Sequence, residues 1–517
     1  MLAVAVLLPR NAMAEDGILH QTYETQVSLS NSKTPLWLNA NKYGLSSLSA
    51  QNGYFRGIVE YNRNTDKTLK WGYEAGSDLV IPLGYQSKGN EKTYTTHFIV
   101  QQLYADVRYR NLVVSVGSRQ RPLTLKYQGL SSGSQTLGIN ARPIPQVRIG
   151  LDHWWEIPGS KHWLAIMAHV AYGVMTDGEW EETFAQGSSC KYNKWTRYHD
   201  NSEYLRIGNT ERFPLTAIFG LEKAAQFGGE LYNWGGTDQN GYIPYEKLRL
   251  KSDLRSYWFA LVPGGSDTYE STFRNAEGNQ LGSWIIRFDW TRPKYAIGLY
   301  ADHYFEDHSS MFLLDYDGYG HGDNYNKKED FRFLLYQLKD LMVGIDVKFR
   351  DFRYVRGAVI EFLNTKYQSG PIYHDHNIGN SDHTGGVDEY YNHASLPGWQ
   401  HWGQVIGNPL YRSPQYNTNG FIGCTDNRFC AWHFGVEGNV FQNLDYRLLY
   451  TWQQGVGTYR LPFFHRNDNT SILMELNYRM PEHSMLRHLT FRTAYGADFG
   501  RLLGNNSGFQ FTVQYNL

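Results

Sequence analysis

The last ten residues, GFQFTVQYNL, alternate almost without error. Phe509, Phe511, Val513, Tyr515 and Leu517 fall on one side of an extended chain, and Gln510, Thr512, Gln514 and Asn516 on the other. The pattern recurs upstream. SILMELNYRM carries Ile472, Met474, Leu476, Tyr478 and Met480 on one face, and DYRLLYTW carries Tyr446, Leu448, Tyr450 and Trp452. SWIIRFDW has Trp284, Ile286, Phe288 and Trp290; LTFRTAYGADF has Leu489, Phe491, Tyr495 and Phe499. Each segment predicts a strand with one strongly apolar face. Several of these faces end in aromatic residues, where a lipid–water interface favours them. Further strands are expected around 53–62, 69–84, 96–110, 112–120, 146–152, 162–176, 215–232, 295–305, 345–351 and 356–367.

The connections are of two kinds. TRPK at 291–294 is a tight turn, whereas 177–212, 233–281, 306–342 and 366–430 read as long irregular stretches. Short turns at one end and long loops at the other are the arrangement of an outer-membrane barrel. The expected fold is all-β, a transmembrane antiparallel barrel of about 16–18 strands with an occluded lumen. A chain that stops in mid-strand suits closure, because the last strand of a barrel must pair with the first. The competing fold is a soluble β-sandwich, which accounts poorly for so many aromatics on one face. One helical period stands out, EDFRFLLYQLKDLM at 329–342, with Phe331, Leu334, Leu335, Leu338 and Leu341 on one side.

Composition fits this picture. Mean hydropathy is -0.53 across 517 residues. That excludes a helical membrane bundle but not a barrel, whose strands alternate lipid-facing and lumen-facing side chains. Aromatics reach 15%, and a net charge of -1 gives no basic surface for nucleic acid. MLAVAVLLPRNAMA, residues 1–14, has the apolar run and small-residue site of a secretory signal. Its basic start is missing, so a beginning upstream of Met1 is expected. Residues 15–50 are then expected to form an N-terminal periplasmic or plug segment, and 51–517 the barrel. Cys424 and Cys430 are candidates for a disulfide in an oxidising compartment, with Cys190 left over.

The densest candidate chemistry is INARPIPQVRIGLDHWWEIPG, 139–159. Pro143 and Pro145 keep the backbone extended and out of regular pairing. Arg142, Arg148, Asp152, Trp154, Trp155 and Glu156 follow one another closely. An indole face for a pyranose ring, with arginine and carboxylate groups for its substituents, is what sugar binding requires. The competing reading is a strand end with interfacial tryptophans and lumen ion pairs. In GLEKAAQFGGELYNWGG, Glu222 and Gln226 are polar within an apolar context, and Gly228–Gly229 marks a sharp bend or close backbone approach. KYNKWTRYHDNSEYLRIG interleaves cations with Trp195 and would attract an acidic polymer, or is simply a solvated loop. His374-Asp375-His376 has metal-binding residue types in a loop whose composition is equally that of a hydrated surface. Glu156, Glu222, Glu306 and Asp307 are the carboxylates available for glycoside chemistry, but nothing in the sequence places two face to face, and no G-x-S-x-G occurs. No catalytic residue, metal or cofactor is assigned.

Several segments resemble the Wzi-like capsule assembly family of outer-membrane barrels: TPLWLNANKYG, GINARPIPQVRIG, YHDNSEYLRIG, GLEKAAQFGG, YFEDHSSMF, and EYYNH followed by GQVIGNPL. They spread over residues 30–410. The resemblance implies a barrel of about eighteen strands, occluded by chain segments including periplasmic helices, that holds capsular or exopolysaccharide at the surface of a Gram-negative cell and is not an enzyme. Residues 15–50 do not show the pattern of such a helix bundle. Other expected partners are outer-membrane lipid and lipopolysaccharide, and the insertion machinery engaging the C-terminal strand; a monomer is expected. The alternatives are an outer-membrane porin or sugar diffusion channel, an outer-membrane hydrolase, and a soluble secreted glycan-binding sandwich.

Overall fold

In the computed structural model the described residues are 17–63, 70–238, 241–263, 278–306, 320, 322–327, 339–374, 384–387 and 389–517, with the side chains of 234–246 and 369–387 left aside. The signal segment, His376, His383, Asp307 and most of the expected helix at 329–342 lie outside them. The last two residues of that helix, Leu341 and Met342, open a wall strand.

Eighteen antiparallel strands close into one barrel. In chain order they are β1 (Ile18–Ser30), β2 (Gln51–Asn62), β3 (Trp71–Leu83), β4 (Ile99–Tyr109), β5 (Leu112–Ser118), β6 (Gln146–Glu156), β7 (Leu164–Val174), β8 (Arg197–Ile207), β9 (Leu215–Phe227), β10 (Asn279–Thr291), β11 (Tyr295–Glu306), β12 (Leu341–Phe349), β13 (Gly357–Asn364), β14 (Phe429–Phe441), β15 (Leu444–Gly457), β16 (Pro462–Arg479), β17 (Leu489–Gly500) and β18 (Asn506–Asn516). The alternating final segment, β18, pairs with β1 in the register Leu29↔Phe509 to Thr22↔Asn516, and so seals the wall.

The apolar faces read from the sequence point outward. Phe509, Phe511, Tyr515, Met474, Leu476, Tyr478, Leu448, Tyr450, Ile286 and Phe288 are all exposed, while the intervening Leu473, Leu449 and Ile285 are buried inside. Such a large outer apolar surface calls for lipid.

Turns at the end carrying both termini are short, such as 110–111, 292–294 and 442–443. Connections at the opposite end include 31–50, 119–145, 175–196, 228–278 and 365–428. Three of these long connections turn back into the lumen. The largest buried apolar cluster is therefore inside the barrel. It joins Leu36, Trp37 and Leu38, Leu130, and Tyr390, Tyr391, Trp399 and Tyr411 to wall residues such as Tyr304, Leu363 and Leu473. Tyr391 stacks on Tyr411 with ring centres 3.9 Å apart. Wall carboxylates cap the plug backbone: Asp498 accepts from Leu36 N at 3.1 Å, and Glu361 from Ser132 N at 2.8 Å. These bonds satisfy irregular backbone that no water reaches.

Three expectations are corrected. Residues 15–50 are not a separate plug domain: Ile18–Ser30 is the first wall strand, and only the connection after Ser30 turns inward. The stretch 177–212 is not irregular throughout, since Arg197–Ile207 is a full wall strand between β7 and β9. Cys424 and Cys430 are free thiols. Cys424 is buried in the plug, its amide donating to Asn392 Oδ1 at 2.8 Å. Cys430 takes the outward parity of Trp432 and Phe434 on β14, so the barrel wall separates the two sulfurs. Dithiothreitol should therefore leave the melting temperature unchanged; a fall of several degrees in a melt with and without reductant would contradict this.

Candidate functional site

The connection 119–145 enters the lumen beside β6, β7, β8 and β9. The extended backbone imposed by Pro143 and Pro145 keeps its end from pairing with the wall, and a cavity of about 140 Å³ remains between the two. Arginines dominate its polar lining. Arg119 Nη2 binds Glu74 at 2.6 Å, its Nη1 binds Asp106, and its guanidinium lies 4.3 Å from the Tyr104 ring centre. Arg121 and Arg148 share one carboxylate, Asp152, at 3.5 and 2.8 Å. Arg142 has no ion pair among the described residues. The Nε atoms of Arg121, Arg142 and Arg148 are all enclosed without a partner. The other carboxylates lining the cavity are engaged: Asp200 with His169 Nε2 at 2.5 Å, and Glu222 accepting from Tyr204 Oη at 2.6 Å and Ser134 Oγ at 3.0 Å. Burial takes the Arg142 guanidinium down to about 10. Burial, then repulsion from Arg148, does the same to Arg121. Both remain cations at neutral pH.

Arg142 also lines a second, smaller pocket of about 20 Å³ at the long-loop end. There its guanidinium stacks on the Trp402 ring, 4.5 Å from the centre. Ser46, Ser47, Gln86 and Gln404 line the same pocket, and the Tyr94 ring lies 5.9 Å from that of Trp402. His401 holds this corner. Its Nδ1 donates to the Arg142 carbonyl at 2.9 Å and its Nε2 accepts from Thr176 N at 3.2 Å. Burial lowers the His401 pKa, which favours the neutral tautomer that this geometry needs.

The sequence-predicted residues divide. Arg142, Arg148 and Glu222 line the 140 Å³ cavity, and Asp152 joins them through Arg148. Trp154, Trp155 and Glu156 do not come there. A bulge between Leu151 and Trp155 shifts the register, and all three lie at the short-turn end. Trp154 points inward under Arg206, 5.0 Å from its ring centre, and Trp155 pairs with Ile166 on the outer face. Glu156 pairs with His162 across the turn. Gln226 is part of the packing, accepting from Asn279 Nδ2 at 2.9 Å. Trp195 stands at the long-loop rim with 65% of its surface exposed. The expected bend at Gly228–Gly229 is present: both have positive φ, and a Cβ on Gly229 would lie 3.0 Å from Thr196 N. Of the metal-candidate loop, the side chains of His374 and His376 are outside the described residues.

Sequence reasoning missed Arg119, Arg121, His169, Asp200, Tyr94 and Trp402. The alternation in SRQRP, directly after a strand, was the one local signal for the first two. The others become neighbours only through closure of the wall.

The fold is that of an outer-membrane β-barrel. No protein-family model matches the chain, and no curated protein does. Among solved structures it is similar to Wzi of Escherichia coli, described as a carbohydrate-binding barrel involved in group 1 capsule assembly. Identity is 12%, 95% of this chain and 83% of that one are covered, and the TM-score is 0.52. It is also similar to Pseudomonas aeruginosa OprD, at 10% identity, 97% and 95% coverage and TM-score 0.45. Pseudomonas aeruginosa OccK2, solved in complex with glucuronate, matches at 9% identity, 97% and 98% coverage and TM-score 0.45. At these identities the likeness is one of fold, and the resemblance to Wzi-like barrels read from the sequence agrees with it.

Proposed function

We propose that this chain is a non-catalytic lectin of the Gram-negative outer membrane, with its long loops outside the cell and a capsular or exported polysaccharide held against them. The observation that carries the reading is the filled lumen. Three connections pack a buried aromatic core across it, which favours a binding surface over a diffusion channel. The long-loop end offers the exposed indole of Trp195, suited to a pyranose ring, and the small pocket of Arg142 and Trp402, whose amide and hydroxyl neighbours suit sugar hydroxyls. Each such contact is weak, but a long polymer engages many barrels at once, and avidity follows from effective concentration. The outward aromatic faces would meet lipid and lipopolysaccharide, and β18 would be the strand taken up by the insertion machinery. A single barrel is complete without a second copy.

The test compares polysaccharide retained on cells with polysaccharide shed to the medium, for wild type, an in-frame deletion and the double variant Trp195→Ala/Trp402→Ala. Retention should fall in the deletion strain. The double variant should lose most of it while its heat-modifiable band persists. Equal retention in deletion and wild type removes the lectin reading, and steady single-channel conductance by the wild-type protein would favour a porin.

A further inference from the structure

We propose that the cavity bounded by Arg121, Arg142 and Arg148 is a binding site for one sugar-acid unit, its carboxylate on the guanidinium groups and its ring filling the space beside Tyr43, Tyr198 and Ile144. The inference goes beyond the surface-polymer reading and shares only Arg142 with it. Three guanidinium groups converge on this space with one carboxylate, Asp152, ion-paired to them, and that carboxylate binds only two of the three. Each of the three leaves an enclosed Nε–H with nothing to donate to. A buried donor without an acceptor is costly, and a buried cation without a counter-ion more so. The enclosed Nε atoms are out of reach of that space, so what an anion meets is the rest of each guanidinium; Arg142 makes no ion pair among the described residues, and Arg121 and Arg148 share a single carboxylate.

The shape narrows the class. A planar carboxylate accepts two parallel N–H bonds from a guanidinium fork, which a spherical ion cannot do. A volume of about 140 Å³ is also far more than a carboxylate needs. It approaches the size of an apolar cavity that takes benzene, about 150 Å³, and so accommodates a six-membered ring. The walls match the two sides of such a ring. Pro122, Pro143, Ile144 and Ile406 are apolar, while Tyr43, Gln146 and Tyr198 are polar at their tips, and Gln146 Oε1 is itself enclosed without a donor. Of the remaining carboxylates, Glu222 is held by Tyr204 and Ser134, and Asp200 by His169 with a further attraction to Arg148.

The experiment titrates detergent-purified full-length protein by calorimetry with sodium glucuronate, glucose, acetate and inorganic phosphate. Saturable binding of glucuronate is expected, with each of the other three weaker by about tenfold or more. Glucose binding as tightly as glucuronate would remove the carboxylate from the argument, acetate doing so would remove the ring, and phosphate doing so would reduce the site to a general anion trap. Each outcome overturns the proposal, and none needs a variant. Arg121→Gln and Arg142→Gln, both on the plug connection, should each weaken glucuronate by about tenfold with the heat-modifiable band intact. Unchanged affinity in Arg121→Gln, whose side chain is partly exposed and so least needed for packing, also overturns it. Trp195→Ala alone, at the exposed rim, should leave glucuronate binding in place while it lowers polysaccharide retention, so failure of the surface-polymer reading and failure of this one are separately visible.

Discussion

Leu448→Arg should destabilise the barrel by about 2–4 kcal/mol, the cost of a cation near the bilayer midplane. Leu448 is outward and exposed on β15. It pairs with Met474 on β16, also exposed, and lies between the Tyr446 and Tyr450 rings of its own strand with Trp452 beyond. That row is the middle of the apolar band. The inward-facing counterpart is Gln514 near the short-turn end of β18, which is half-buried and bonds Asn516 at 2.9 Å. Gln514→Arg should stay within about 0.5 kcal/mol of wild type, as surface substitutions usually do. Urea unfolding of both variants in lipid vesicles measures the difference. If Leu448→Arg unfolds with wild-type stability, the outer face does not touch lipid, and the localisation argued above goes with it.

The wall was legible in the sequence because its code is local. A strand between lipid and a packed lumen must alternate, and Phe509, Met474, Leu448 and Ile286 announced their face two residues at a time. The strand count followed from length and turn spacing. What failed were the places where alternation is broken by what lies inside. β8 reads Tyr198-His199-Asp200-Asn201-Ser202, five buried residues in a row. Both faces of that end are covered, one by Trp399 and the plug, the other by Tyr172 and Tyr257, so no apolar side was visible. The N-terminal segment was misassigned for a related reason. ILHQTYETQVSLS alternates weakly, and one of its two partners, β18, lies almost five hundred residues away.

The site was half legible. Arg142 and Arg148 stood out because Pro143 and Pro145 made their surroundings irregular, and irregular backbone inside a barrel is tolerated only where it packs or lines a space. Trp154 and Trp155 stood out for chemistry that the structure places elsewhere: consecutive strand residues face opposite sides, so one indole is inward and the other outward, in a register shifted by the bulge after Leu151. No local pattern reports a bulge that the neighbouring strand imposes. Trp402 could not be tied to Arg142 at all, since 260 residues separate them and the contact exists only because both connections fill the same lumen.

Filling the lumen depends on a few large side chains, and Trp399→Ala should be the most damaging change among them. Trp399 is fully buried, donates through Nε1 to the Thr136 carbonyl at 3.2 Å, and stacks against Tyr198 of the wall at 5.8 Å. One side chain thus ties the 365–428 connection to the 119–145 connection and both to β8. Truncating a buried tryptophan costs about 3–5 kcal/mol in transfer and cavity terms. The wall keeps its eighteen hydrogen-bonded seams, so the loss falls on the plug. The expected result is a barrel that retains its heat-modifiable band while its inner connections become sensitive to trypsin and brief conductance steps appear in a planar bilayer, where wild type is silent. Trp402→Ala, at the edge of the outer pocket, should stay closed. A Trp399→Ala protein as silent and as protease-resistant as wild type would mean that the plug is held by its wall carboxylates, Asp498 and Glu361, rather than by its aromatic core, and the next substitution would then be Glu361→Gln, which weakens the bonds to Ser131, Ser132 and Tyr300 together.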